Sequence, residues 1–575
     1  MQQTKPLFLI KKYRSILSTA IVIEAINFIV SLTDSIIAGN AINEKAFAAI
    51  GLFAPFLSVS VFFSSIVYTG TIIKFSYHIG KFEKKRADEF FSQGVCMAFL
   101  IGVGYALILL LLGNPIINRL SASAEVYQYL SKYYYLMLLI VLLNPISILL
   151  DNMLIADGSD LLSFFANSAQ IVCNIVASVI MVRFWGVTGI ALATVISKLL
   201  FLGIAVLHFF SKKNTLRFRP RLNLSDAGTI VRCGFVKATT HGFEAILTYL
   251  INAFAFSSFG EDALVIVVII ERLLGVLTLF MGLAMACQPL IGTLRGEKNT
   301  KALRILMRTA LWDMVAVGLV LSSITIIGAP LIVPAFGITE GVLYDQAVLA
   351  VRIVSTTLVF HAALVLFFAY YVFISKQLLA FVICLINNLL SFSVMVITLS
   401  IILHSQAGMW VGFAAAPVVA SAVSALIVIV RYGREVFPFL IRKDRDDRIR
   451  IYDFVIGNES AVEIAAVVEQ NLKAESVPPG TSVLAGVVTE DMMMLIAEKN
   501  ADSQKPLRAE CTIITEEDGV RVILRDSGVI FDITDTDARA DSFRQYIVSN
   551  LMLNQDRKLY LTTTGYNRNE LFFKH

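Results

Sequence analysis

The chain has 575 residues, of which 57% are hydrophobic and 16% charged, with a mean hydropathy of +0.75 and a net charge of +5. This composition excludes an ordinary soluble enzyme, because soluble domains are only about 45–50% apolar. The modest net charge comes mainly from loops and gives no reason to expect nucleic-acid binding. The six cysteines are scattered without a C-x-x-C pair, which argues against a metal knuckle or a disulfide framework.

About twelve apolar segments precede Arg434, each near the roughly 20 residues that a helix needs to cross a bilayer. The basic N-terminus runs into the first segment without a small-residue cleavage pattern, so we expect a retained helix. The predicted spans are 15–37, 47–72, 91–113, 132–155, 161–183, 187–209, 232–257, 263–290, 309–333, 347–373, 378–403 and 409–431.

The predicted fold class is an all-α polytopic membrane protein of two six-helix bundles, followed by a C-terminal α+β domain. The expected divisions are a first bundle at 1–209, a linker at 210–230, a second bundle at 231–433, a linker at 434–449 and a soluble domain at 450–575. Basic clusters fall at the termini and in the even-numbered connections. The positive-inside bias therefore predicts a multi-pass protein of the cytoplasmic membrane with both termini in the cytoplasm.

Short sequence echoes indicate an internal repeat. Gly80-Lys81-Phe82-Glu83 is echoed by Gly296-Glu297-Lys298-Asn299, and Trp185–Ser197 is echoed more weakly by Trp410–Ser421. Both offsets are about 220 residues, and each predicted half has six spans. Duplicated halves are typical of secondary transporters, which bind substrate and ions near the interface of the repeats.

The first span carries a polar stripe. Because successive helical residues rotate by about 100°, Glu24, Asn27, Ser31 and Asp34 share one face. Ionisable residues within spans are costly and usually face a cavity or a partner, so this face is a candidate cation and substrate site. The alternative is that these groups only hydrogen-bond neighbouring helices.

The seventh span carries a second stripe. Its members are Lys237, Thr240, His241, Glu244, Thr248 and Asn252. Glu244 and Asp34 are expected to exchange protons or bind sodium, and Lys237, His241 and Thr248 to line the substrate cavity. The alternatives are a structural Lys237–Glu244 ion pair and a merely hydrogen-bonding His241. Glu271, beside Arg272 in the eighth span, is a further cavity candidate or a local ion pair.

Three segments resemble the multidrug and toxic compound extrusion (MATE) transporters. They are Asp34-Ser35-Ile36-Ile37-Ala38-Gly39-Asn40 with Ala48-Ala49-Ile50-Gly51, Gly186-Val187-Thr188-Gly189-Ile190-Ala191-Leu192-Ala193-Thr194, and Gln288-Pro289-Leu290-Ile291-Gly292. The resemblance covers about residues 15–431 and implies two bundles in a V around a central cavity. It also implies substrate export coupled to inward flow of H⁺ or Na⁺.

The resemblance assigns cation coupling to Asp34, Asn174, Thr194 and Glu244. The chain departs from the family pattern in two places: Ser178 stands where an acid often follows the asparagine, and 347–373 lacks the tenth-helix aspartate of one subgroup. We expect Glu24 to supply a missing charge at the cation site.

The chain after Ile451 predicts a strand at Tyr452–Ile456, helices at Ser460–Ala474 and Ser482–Glu498, and strands at Arg508–Thr515 and Val520–Arg525. Arg525-Asp526-Ser527-Gly528-Val529-Ile530-Phe531-Asp532 resembles the D-x-G-x-x-F-D box of GHKL ATP-binding domains, in the branch of anti-sigma-factor kinases. Leu559–Phe573 resembles that branch's last strands.

The GHKL resemblance implies nucleotide binding by Glu490, Asp526 and Gly528. Two departures make a catalytically dead domain the expectation. Met494 replaces the magnesium-binding asparagine, and a thioether is no ligand for a cation that prefers oxygen. Thr534–Arg544 also lacks the glycines of a phosphate lid. Adenine-nucleotide binding through Asp526 and Gly528 is the remaining alternative.

The expected function is therefore an H⁺- or Na⁺-coupled antiporter that exports organic cations, with no cofactor, no metal and no enzymatic activity. The C-terminal domain is expected to regulate it by binding a cytoplasmic protein or ligand. The alternatives are a lipid-linked saccharide flippase of the same superfamily, with basic residues such as Lys237 and Arg272, and a membrane sensor with a kinase-like output domain. A primary pump is not expected, because the chain has no G-x-x-x-x-G-K-[ST] loop.

Overall fold

The structure is a computed structural model. It describes residues 8–22, 37, 42, 44–120, 124–211, 214–219, 223–336, 340–374, 376–433, 448–501, 506–529, 548, 551, 557–563 and 566–575. Long helices fill the first three-quarters of the chain, as expected where lipid offers backbone groups no hydrogen-bond partner. A small mixed domain follows.

The helices of the first half begin with α1, at residues 8–22, which overlaps the beginning of the predicted first span, 15–37. The first bundle then consists of α2 (Glu44–Gly80), α3 (Lys84–Leu120), α4 (Ala124–Ala156), α5 (Asp160–Trp185) and α6 (Val187–Leu207). Gly186, at φ +56°, allows the sharp turn between α5 and α6.

The second bundle is more broken. Its helices are α7 (Leu224–Phe259), α8 (Glu261–Leu274), α9 (Thr278–Gly296), α10 (Thr300–Ile332), α11 (Val342–Ser355), α12 (Leu358–Phe373), α13 (Gln377–Leu385), α14 (Ser391–Leu403) and α15 (Gln406–Ile427). A 3-10 turn joins α8 to α9, and a π-helical turn at Ile386–Leu390 joins α13 to α14.

Eleven helices within the described part of the chain are long and apolar enough to cross a membrane. One of them, Pro479–Lys499, belongs to the C-terminal domain, where its apolar residues pack in the domain core. The predicted single span at 347–373 is instead a pair of helices, α11 and α12, bent by 45° at their junction.

The inter-bundle linker is shorter than the predicted 210–230, because α7 begins at Leu224. Asn223 caps that helix by accepting a hydrogen bond from the Ser225 amide at 2.9 Å. Arg86 of α3 binds both carboxylate oxygens of Asp226, at 2.6 and 3.0 Å. The last part of the predicted linker is therefore the cap and first turns of a helix.

The two bundles meet along a seam where α2 packs against α7 and α9. Along it, glycines lie so close to the opposite helix that a Cβ atom would overlap it: Gly70 against Ile230, Gly234 against Ile66, Gly292 against Ser76, and Gly296 against Gly80. We call these four contacts the glycine seam. The last contact joins the ends of α2 and α9, on the side that carries the C-terminal domain, which we call the domain face.

The predicted echo at Gly80 and Gly296 corresponds to one repeated backbone turn. Phe82 and Lys298 both adopt a left-handed conformation, with φ of 59° and 61°. The backbone amides of Glu83 and Asn299 each donate to the carbonyl five residues earlier, at 2.9 and 3.0 Å. The ends of α2 and α9 are thus equivalent positions of the two halves.

The C-terminal domain is an antiparallel sheet covered on one face by two helices. Its elements are β1 (Ile449–Val455), α16 (Asn458–Ala474), α17 (Pro479–Lys499), β2 (Arg508–Thr515), β3 (Gly519–Asp526), β4 (Arg557–Thr563) and β5 (Tyr566–Lys574), with strand order β1-β2-β3-β5-β4. The predicted order of strand, two helices and further strands is confirmed. The other face of the sheet lies on the domain face of the bundles, where Ile451, Ile523 and Tyr566 join the core of the helices.

We predict that Gly234→Ala lowers the thermal stability of the purified protein, because its methyl group would meet the carbonyl of Ile66. Overpacking of this kind costs about 1–3 kcal/mol. Gly242→Ala, in the same helix but with open space around it, is the matched control and is expected to be neutral or up to about 1 kcal/mol stabilising. Equal melting temperatures for both variants would contradict a close-packed seam.

Candidate functional site

A cavity of about 400 Å³ lies within the second bundle. It is lined from α7 by the predicted face of Lys237, His241, Glu244 and Thr248, and from α8 by Glu271. The four predicted substrate-cavity residues of the second half and the predicted coupling residue Glu244 therefore line one cavity. The four α7 residues face the cavity together because the helical period of α7 turns these positions to one side.

The cavity separates a buried cation from an accessible acid. Lys237 is buried, with its ammonium 5.7 Å from the centre of the Phe368 ring and 3.6 Å from the sulfur of Met281. The side chain of Glu244 is 61% exposed, and its carboxylate lies 3.6 Å from Nδ1 of His241. Glu244 can therefore meet a solute, with His241 as its neighbour.

The far wall contains polar residues that the sequence reasoning did not select. The π-helical turn brings Asn387 and Asn388 to the cavity, and the Asn387 amide donates to Asn388 at 2.8 Å. His361 also lines the cavity and stacks on Phe392. Single π-helical turns occur often at functional sites. Two adjacent asparagines in an apolar span could have predicted from the sequence that this turn faces a cavity.

The predicted coupling site of the first bundle is described in part. The Asn174 amide donates to the Thr194 hydroxyl at 3.3 Å, which joins α5 to α6. Ser178 is buried one turn further along α5. Glu24, Asn27, Ser31 and Asp34 lie outside the described residues, and so does the side chain of Arg272.

In the C-terminal domain, neighbouring groups of the domain form hydrogen bonds with the Asp526 side chain. Its carboxylate accepts hydrogen bonds from the Gly528 amide at 2.9 Å and from the Asn567 side chain at 2.8 Å, and burial raises its pKa. The side chain of Asn500 fills the space against Gly528 and accepts from the Val529 amide at 2.7 Å. A base approaching Gly528 would have to displace Asn500.

Two other residues of the predicted nucleotide site lie on α17. Glu490 is half-buried on α17, and Met494 follows one turn later. The predicted lid segment, Thr534–Arg544, lies outside the described residues. Within the described part of the chain, no group of three or more His, Cys, Asp or Glu side chains could hold a metal ion.

Two repeated helical bundles, packed along a seam and holding a cavity with several polar residues in its lining, are typical of membrane transporters. The MatE family model matches residues 20–180 and 242–397, which is more than half of the chain. The chain belongs to the MatE family, whose members are transporters and not enzymes.

Solved structures give the same assignment of the fold. One is the outward-facing conformation of a multidrug resistance MATE family transporter of the MOP superfamily, at 19% identity and a TM-score of 0.68, covering 76% of this chain and 99% of that one. Another is a MOP superfamily transporter from Pyrococcus furiosus, at 19% identity and a TM-score of 0.68, covering 77% and 100%. A MATE in complex with Br-NRF follows at 18% identity, a TM-score of 0.63 and coverage of 77% and 100%. No curated protein matches the chain.

We predict that Thr194→Val destabilises the protein by about 1–3 kcal/mol, because the buried Asn174 amide loses its hydroxyl partner. Thr194→Ser keeps the hydroxyl and serves as the control. Denaturant unfolding in detergent measures both variants, and a valine variant as stable as the serine variant would contradict the Asn174–Thr194 link.

Proposed function

We propose that this MatE-family protein is a secondary antiporter of the cytoplasmic membrane that exports organic cations in exchange for H⁺ or Na⁺. The observation that carries the proposal is the exposed carboxylate of Glu244 in a cavity whose lysine is buried. A cationic solute would replace the lost hydration of that carboxylate with direct charge pairing.

Coupling would follow from competition between the bound ion and the substrate. An ion bound at Asp34, assisted by Asn174, Thr194 and Glu24, favours one arrangement of the bundles, and the substrate favours the other. Each ligand then weakens the other's affinity by the same factor, the linkage that antiport requires. Asn27 and Ser31 would contribute to the substrate surface beside Asp34.

We propose a cytoplasmic location for both termini and for the C-terminal domain, on the basis of the basic residues of the domain face. Lys298 and Lys301 follow α9, and Lys81 and Lys84 follow α2, at the equivalent turn. Loops rich in lysine and arginine are retained on the cytoplasmic side. The domain would be a degenerate GHKL-like module that regulates transport.

We predict that an imposed H⁺ or Na⁺ gradient drives uptake of ethidium into inside-out vesicles, and that Asp34→Asn abolishes the part of that uptake that depends on the gradient. Glu244→Gln is expected to weaken uptake as well, since it removes the charge that faces the cavity. Asp345→Asn, at an exposed acid in the first turn of α11, is the control.

Uptake that ignores both gradients would contradict antiport. Transport of a lipid-linked pyrophosphate sugar in the same vesicles that depends on Lys237, the lysine of the cavity, would instead support the flippase.

We predict that the full-length protein shows no magnesium-dependent binding of a fluorescent ATP analogue, because Met494 offers no oxygen ligand and Asn500 occupies the space beside Gly528. Equilibrium titration with and without Mg²⁺ tests this, and Asp526→Asn is the comparison variant. Saturable, magnesium-dependent binding that Asp526→Asn removes would support the alternative of a sensor with a kinase-like output.

A further inference from the structure

The C-terminal domain contacts both bundles at the end of the glycine seam, beside further contacts with Phe8 of α1 and Lys301 of α10. Glu297, the residue after α9, is completely buried there and forms ion pairs with two arginines of the sheet, Arg525 and Arg568. Its carboxylate lies 2.9 Å from Nε of Arg568. Glu297 thus ties the second bundle to the domain.

Arg568 binds the first bundle with the same guanidinium group. Its two terminal nitrogens donate to the last carbonyls of α2, those of Ile79 at 3.0 Å and Gly80 at 2.8 Å. A cation at a helix C-terminus also interacts favourably with the helix dipole. Arg568 therefore bridges the ends of α2 and α9, where Gly80 and Gly296 touch.

The two arginines belong to a buried chain of alternating charges on this face of the sheet. Its members, in order of contact, are Glu516, Arg521, Glu570, Arg568, Glu297, Arg525 and Glu510. Glu297 comes from the helices and is completely buried, whereas Lys298, beside it, pairs with Glu516 at the exposed edge. Because a buried charge is costly without its partner, loss of Glu297 would leave both arginines undercompensated.

Arg525 and Arg568 lie beside the predicted ligand site of the domain. Arg525 pairs with Arg568 across β3 and β5, and the next pair in the register is Asp526 with Asn567. Successive strand residues point to opposite faces, so a group bound at Asp526 and Asn567 would lie behind the arginines. A shift of this strand pair would act on Glu297 directly.

We propose that the C-terminal domain is a lock on the bundle seam. Docked, it holds α2 and α9 together through Arg568 and Glu297 and keeps the transporter closed on the domain face. Opening on this face requires Arg568 to leave Glu297 and the end of α2. The proposal deepens the regulatory role given under the proposed function, and it requires only that the bundles separate here.

Two native cysteines make the lock measurable without any substrate. Cys233 is buried at the seam beside Gly234, and Cys511 is buried in the core of the domain, between the sheet and its helices. The labelling rate of each by N-ethylmaleimide, followed by peptide mass spectrometry on the full-length protein, reports opening of the seam and unfolding of the domain separately.

We predict that Glu297→Gln and Arg568→Ala each raise the labelling rate of Cys233 about tenfold and leave Cys511 protected. Lys298→Ala is the matched control. It removes the neighbouring, 69% exposed partner of Glu516, an ion pair of 3.1 Å at the edge of the same interface, and is expected to leave Cys233 protected.

Protection of Cys233 in both variants would overturn the lock. So would labelling of Cys233 and Cys511 together in Glu297→Gln, because the network would then hold the domain fold and not the seam. The readout contains no transport step, so failure of ethidium uptake would count against the proposed antiport and leave this result standing.

Discussion

The rest of the structure depends on the backbone contact between α2 and the two helices α7 and α9. Four glycine contacts allow it, and a single methyl group on any of these glycines would force the helices apart. Because the contact runs toward the domain face, the two bundles close there. The same contact brings the carbonyls of Ile79 and Gly80 beside Glu297, where one arginine reaches both. The seam therefore determines both the closed conformation and the surface on which the C-terminal domain rests.

The charged interface is better suited to a switch than to stability. Buried ion pairs recover little more than the cost of removing their charges from water, so they contribute little net stability. They are demanding in geometry, however, because a displaced partner leaves a buried charge uncompensated. A domain held in this way binds in one register and can be released by a small shift of β3 and β5.

The sequence predicted what depends on local periodicity. The spans follow from apolar length, the α7 face of the cavity from helical spacing, and the order of strands and helices in the C-terminal domain from alternation. Features that arise from tertiary contacts were missed. Arg521 and Arg525 alternate with apolar residues in β3, a pattern typical of a solvent-facing strand, and only the docked helices reveal Glu297 as the partner of Arg525. The π-helical turn at Asn387 and the bend between α11 and α12 were also missed, because no periodic pattern of apolar residues marks them in the sequence.

The most direct test of the account is whether substrate and ion displace each other from the same protein. Ethidium is added to the purified full-length protein in weakly buffered detergent solution, with released protons followed by a pH dye and released sodium by a sodium-selective electrode. Antiport predicts that binding releases one of these ions, and that Asp34→Asn binds ethidium without the release. Saturable binding by the wild-type protein that displaces neither ion would contradict the account.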